Sequence, residues 1–208
     1  PGMTFKQTDD GRWHVLAVYS NVFVDKHKEI LTEASHKEYV EWATSKSTYP
    51  DLYLWHAGPG SKWGTVDMVD FVDGFAVAHG IVDKDCDHIA EYLKELAEEG
   101  KLAVSHGFFG IKGDDGTYRV YRPFEISALP KGAEANAWTG IDISTKEFAM
   151  PFSAQKRAFL QTVAGFDDEE LKSLEQVLAG QRKNLADAGV AHKAAKPAAD
   201  DDGDDTEP

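Results

Sequence analysis

Cysteine is almost absent from this chain of 208 residues: Cys86 stands alone. A single thiol excludes an intrachain disulfide and a thiolate zinc cluster, and it fits a reducing, intracellular location. Long apolar runs are lacking too. None reaches the roughly 18 residues that a membrane helix needs, and the first residues lack the charged segment and apolar core of a secretion signal. Pro1-Gly2 ahead of Met3 reads as a cloning remnant, with Met3 the expected natural start. Clusters of Lys and Arg are missing, and the formal net charge is −14, so neither nucleic acid nor an anionic membrane is an expected partner.

Several chemical signatures are missing as well. There is no His-Glu-x-x-His run, no glycine-rich phosphate loop and no Gly-x-Ser-x-Gly elbow. Asp83, Asp85 and Asp87 imitate the start of a calcium loop, but His88 replaces the required glycine and Lys94 stands where the closing glutamate belongs. No metal and no cofactor is expected. The five tryptophans are read as core and sheet packing rather than a base-stacking platform.

What is present divides the chain into three parts. Residues 3–150 alternate strand-like runs with two helix-like ones. Strands are predicted at 13–19, 52–56, 64–72, 74–82, 101–111, 117–129 and 137–143, with turns at Asp73-Gly74 and Gly113-Asp114-Asp115-Gly116. Ser35-His36-Lys37-Glu38 reads as a capping box ahead of a helix through Tyr39, Val40, Trp42 and Ala43. A second helix is predicted over Asp87–Glu99, with Ile89, Leu93 and Leu96 on one face and Gly100 at its C-terminal cap. The fold class expected is α+β, a mainly antiparallel sheet or barrel flanked by helices. Residues 151–190 form a helical extension: Phe159, Val163 and Phe166, then Leu171, Leu174, Val177 and Leu178, suggest two amphipathic helices, the second capped by Asp167 with Glu170 at its third position. Residues 191–208 contain no large apolar side chain and end in a stretch, 200–208, with five Asp and one Glu. Such a composition cannot offset its ordering entropy, so a disordered acidic tail is predicted.

Three segments carry candidate chemistry. In Val104-Ser105-His106-Gly107-Phe108 a serine follows an apolar run and precedes small residues at Gly107 and Gly110, where a backbone can approach a substrate and offer N–H groups to an oxyanion. A serine hydroxyl needs a neighbouring base. Of the eight histidines, His27, His36 and His192 sit in polar surroundings and are read as solvated, and His88 as exposed on a first helical turn. His14 and His79 fit core or sheet positions, and His106 points to the face opposite its neighbour Ser105. His56 remains, at a strand end beside Gly58-Pro59-Gly60. In Pro123-Phe124-Glu125-Ile126-Ser127, Glu125 and Ser127 share one face of an extended run. Glu125 either meets solvent or accepts a hydrogen bond from the second ring nitrogen of His56, fixing its tautomer. Candidate oxyanion donors are backbone N–H groups near Gly107, helped by Arg119 or Arg122.

Taken in order, Leu52-Tyr53-Leu54-Trp55-His56, Gly64-Thr65-Val66, Leu93-Lys94-Glu95-Leu96, Gly100 to Phe108, and Phe124-Glu125-Ile126-Ser127-Ala128-Leu129-Pro130 resemble the prohead maturation proteases of tailed phages. Those enzymes are related in fold to the herpesvirus capsid proteases. The resemblance implies a herpesvirus-protease-like barrel, with Ser105 as nucleophile, His56 as base and Glu125 as the acidic third member. It implies that the major capsid protein, scaffold segments and the protease itself are cut inside the assembling procapsid in the host cytoplasm, and by analogy that the chain pairs as a homodimer. The alternative is a non-enzymatic assembly or scaffolding protein on a protease-like domain, binding capsid subunits through its C-terminal helices.

Overall fold

The computed structural model describes residues 2–23, 25–27, 30–134, 154–173 and 175–176. Among the described residues the strands and helices follow in the order β1 (Met3–Gln7), β2 (Trp13–Asn21), α1 (Glu33–Lys46), β3 (Asp51–Leu54), β4 (Lys62–Val72), β5 (Phe75–Val82), α2 (Asp87–Glu98), β6 (Leu102–Lys112), β7 (Tyr118–Pro130) and α3 (Ala154–Ala164), with further helical residues from 168 onward. The fold is α+β, as the sequence suggested. The expected strand at 137–143 and the acidic tail lie outside the described residues.

All seven strands join one curled sheet, a half-barrel, in the order β1-β2-β5-β4-β3-β7-β6. Its neighbours are antiparallel except for β3 and β7, which run parallel with Leu52 opposite Ile126 and Tyr53 opposite Ser127. This differs from an all-antiparallel arrangement because β3 and β7 lie far apart in sequence. The intervening β4, β5, α2 and β6 supply the long connection that a parallel pair requires. β1 and β6 remain as edges.

Alternation along the strands fixes two faces. Val15, Ala17, Leu52, Val66, Ala78, Val104, Ile126 and Ala128 turn to one face, where Tyr39 and Ala43 of α1 and Ala90, Leu93 and Ala97 of α2 cover them. Helix α2 ends as its sequence predicts: Gly100 adopts φ +67°, Gly100 N–H reaches Ala97 C=O and Lys101 N–H reaches Leu96 C=O, the paired bonds of a Schellman stop. Helix α1 corrects its expectation. Thr32, not Ser35, is the N-cap, accepting from Ser35 N–H at 3.1 Å. Ser35 Oγ is instead taken by Tyr118 C=O at 2.5 Å, and Glu38 pairs with Arg122. Tertiary partners outbid the local box, and the helix begins earlier than its apolar run.

The opposite face is covered over part of its width. Leu160 and Ala164 of α3, with Phe166 and Leu171 beyond it, pack on Leu16, Val18, Val22, Met68, Val72, Phe75 and Val77. Asp167 caps the helical residues from 168 onward. Its Oδ1 accepts from the N–H groups of Glu169 and Glu170, while Glu170 Oε2 accepts from Asp167 N–H, the reciprocal box read in the sequence. Lys6 to Glu170 at 2.6 Å and Lys156 to Asp70 at 2.9 Å pin this segment to the sheet.

Candidate active site

Among the described residues, the part of that second face that α3 leaves uncovered lies over β3, β7 and β6. With Ile126 and Ala128 committed to the core, Glu125 and Ser127 must project to the other side of β7. On β6, Val104 and His106 pack inward, so Ser105 and Gly107 share the outer face with them. Register places Ser105 directly across from Ser127 and Gly107 across from Glu125. Directly opposed side chains have Cβ atoms about 4.5–5.5 Å apart, so the two serines are immediate neighbours.

His56 arrives from the other flank of β7. Strand β3 stops at Leu54, two residues before the sequence predicts, and the chain turns at once. Trp55 and His56 both have φ +54°, and Ala57 N–H closes the turn on Leu54 C=O at 2.9 Å. Two consecutive non-glycine residues in the left-handed region cost on the order of 1–3 kcal/mol each. Two anchors to β7 offset this: Trp55 N–H donates to Ala128 C=O at 3.1 Å, and His56 N–H donates to Ser127 Oγ at 3.1 Å. Trp55 itself is exposed.

The ring of His56 then meets the carboxylate. Nδ1 lies 2.5 Å from Glu125 Oε1, and Ser127 Oγ donates to the other oxygen, Oε2. Glu125 is 3% exposed and Ser127 fully buried, whereas the His56 side chain is 40% exposed. With Nδ1 held by the carboxylate, Nε2 is left for other work. Ser105 and His56 are not hydrogen-bonded to each other; among the described residues the Ser105 hydroxyl has no hydrogen-bond partner. It is a half-buried, uncommitted hydroxyl on the same face, one strand beyond the carboxylate that holds the imidazole. Catalytic contacts of this kind commonly tighten only when substrate binds.

Glycine lets the strand pass close to this carboxylate. A Cβ at Gly107 would fall 2.5 Å from Glu125 Oε1 and 2.7 Å from the Phe124 ring. Immediately after Gly107 the β6–β7 ladder bulges, since Gly107 faces Glu125 but Phe108 faces Pro123, and proline has no N–H for the ladder. Arg122 is corrected. Both terminal nitrogens grip Glu38 at 2.7 Å and its guanidinium lies 4.6 Å over the Trp42 ring, so it is not free to hold an oxyanion. Arg119 lies beside the Gly113 turn.

Among the described residues the other histidines separate as expected with one exception, and His192 lies outside the described residues. His106 turns inward among Tyr19, Phe108 and Tyr121, with Nε2 2.8 Å from the Tyr121 hydroxyl; enclosure and the neighbouring His36 lower its pKa to about 3. His36 is not solvated but buried, bonded to Thr32 C=O at 2.9 Å and Ser20 Oγ at 3.0 Å, and burial lowers its pKa to about 4. Its polar neighbours Lys37 and Glu38 are exposed, while the helical period turns Ser35 and His36 inward. His14 and His79 are core residues joined in a chain that sequence reading missed: Asp67 Oδ1 to His79 Nδ1 at 2.5 Å, and His79 Nε2 to His14 Nδ1 at 3.1 Å. The Phe159 ring of α3 sits edge-on to His79. No family model, curated protein or solved structure matches this chain.

Proposed function

We propose that the chain is a serine endopeptidase in which Ser105 is the nucleophile, His56 the general base and then acid, and Glu125 the group that orients His56. The single observation that supports this reading is the held imidazole: His56 Nδ1 on a buried carboxylate and, among the described residues, Nε2 without a partner and the unpartnered Ser105 hydroxyl on the same face across one strand. In the reaction, Ser105 Oγ bonds the peptide carbonyl carbon while His56 Nε2 takes the hydroxyl proton. His56 then passes that proton to the leaving amine, which departs as the C–N bond breaks. Water, deprotonated by the same nitrogen, releases the acyl group and restores Ser105. Proton transfer by such a base contributes roughly 10²–10⁴-fold, and backbone N–H groups near Gly107 are the donors assigned to the developing oxyanion.

Of the two serines here, Ser105 is assigned the attack because Ser127 is fully buried and its proton is committed to Glu125. The biological setting proposed is the one the sequence resemblance implies, a herpesvirus-protease-like fold cutting capsid protein, scaffold segments and itself in the assembling procapsid, as a homodimer. The scaffolding alternative has less support, because of the apolar residues it would offer to a partner Phe166 and Leu171 are buried and Phe159 is packed against the chain's own sheet, with Val163 left exposed. Intact-mass analysis of the purified protein over time tests the reading: self-cleavage products are expected from the native chain and none from Ser105→Ala. Identical trimming of both chains would remove Ser105 from the mechanism.

A further inference from the structure

A hydroxyl that touches neither an attacking oxygen nor a scissile bond occupies the centre of this site. Ser127 is fully buried in the middle strand of the β3-β7-β6 trio. Its Oγ does two things at once. It accepts the backbone N–H of His56 at 3.1 Å, and it donates its proton to Glu125 Oε2. His56 and Glu125 are themselves bonded through Nδ1 and Oε1 at 2.5 Å. His56 (through its backbone N–H and its ring Nδ1), the Glu125 carboxylate and the Ser127 hydroxyl therefore close a cycle of three hydrogen bonds, each residue held at two points.

Each bond removes a specific freedom. A carboxylate is held by one bond but can still rotate about χ3, which has a broad, nearly two-fold preference; a donor on the second oxygen stops that rotation and dedicates Oε1 to the ring. A turn with two consecutive left-handed residues is strained and tends to relax. The bond from His56 N–H to Ser127 ties the strained residue itself, not a neighbour, to β7. Ser127 also faces Ser105 across the ladder, so the same position sets the separation between the base-bearing and nucleophile-bearing strands. A buried serine whose donor and acceptor capacities both serve one candidate site is more than a satisfied core hydroxyl.

The geometry points to Ser127 as a positioning residue of the proposed hydrolase, acting through Glu125 and His56 to aim Nε2 at Ser105. This inference rests on the proposed Ser105–His56–Glu125 mechanism, and the experiment separates the failure of one from the failure of the other. The probe is a fluorescent fluorophosphonate. Saturation kinetics give its maximal acylation rate and its half-saturation concentration for the native chain, Ser127→Ala, Glu125→Ala and the double variant. Misplacing a reacting group by about 1 Å costs on the order of 10²-fold, so Ser127→Ala should lower the maximal rate roughly 10- to 100-fold with half-saturation unchanged. In the Glu125→Ala background the same substitution should cost a clearly smaller fold in rate, because one of the two groups through which it acts is gone and only its bond to His56 N–H is left. Ser127→Cys, near-isosteric and a weak donor, should fall between and provides the comparison if the alanine variant does not fold by circular dichroism. Native-like acylation in a folded Ser127→Ala, or the same fold-loss with and without Glu125, overturns the positioning role. A native chain that the probe does not label at all overturns the hydrolase reading itself.

Discussion

The outer face of the sheet holds two carboxylate–imidazole pairs of the same length, 2.5 Å, in opposite circumstances. Asp67–His79 lies under α3, with a fully buried ring, the edge of Phe159 against it and a second imidazole, His14, occupying its remaining nitrogen. Glu125–His56 lies away from α3, with a ring 40% exposed and, among the described residues, no partner for Nε2 or for the Ser105 hydroxyl on the adjoining strand. A short acid–imidazole contact is therefore not a site in itself. What distinguishes the second pair is access, a ring nitrogen without a partner among the described residues, and a serine hydroxyl on the strand next to the carboxylate's. The first pair satisfies polar groups that would otherwise be costly to bury.

Several substitutions break or sharpen this contrast. The largest effect is expected at the open pair: Ser105→Ala should reduce fluorophosphonate labelling by at least about 10⁴-fold with an unchanged melting temperature, as read by in-gel fluorescence and calorimetry. At the pair under α3, whose ring is buried, the cost should be in stability instead. Leu160→Ala removes a fully buried side chain from the α3 interface and should cost about 2–5 kcal/mol in urea denaturation, with labelling below the transition preserved. An equal loss of labelling and stability would mean that the halves are not separable. Gly107→Ala should cost on the order of 10²-fold in labelling rate, because its Cβ would displace the Glu125 carboxylate, whereas Gly60→Ala, with open space around it, should be nearly neutral.

The smallest effect is a pH dependence of the sealed interior. His14 is depressed from 6.5 by burial and by the neighbouring His79, while His36 is lowered to about 4 and His106 to about 3. The unfolded chain binds these protons more readily than the native one, so stability rises with pH. The contribution of these rings is complete above about pH 6.5 and is lost as pH falls through 6.5 towards 4 and 3. Urea midpoints at pH 7.5 and pH 5 should therefore decline, and His36→Gln should flatten the slope. A steeper slope in that variant would contradict the assignment.

Local signals made much of this legible in the sequence. Asp73-Gly74 takes positive φ at both positions and joins β4 to β5 as a hairpin turn should. Gly100 stops α2, Asp167 and Glu170 cap the C-terminal helical residues, and alternation along β6 and β7 put Ser105 and Glu125 on outward faces. The parts that stayed hidden depend on distant partners. Nothing in Trp55-His56 announces a turn usually made by Asn-Gly, because Ala128 and Ser127 on another strand hold it there. The parallel β3–β7 pair, the burial of His36 and the docking of α3 are likewise decided by tertiary contacts. Ser127 was visible only as a polar residue two places after a carboxylate; its use follows from which strands flank β7.

The central claim is that a buried acid and an open imidazole activate Ser105. Peptide mapping by mass spectrometry after fluorophosphonate treatment tests it most directly. The account predicts an adduct on Ser105 in the native chain, none on Ser127, and loss of the Ser105 adduct in His56→Ala. An unmodified Ser105, or equal modification with and without the imidazole, would contradict it.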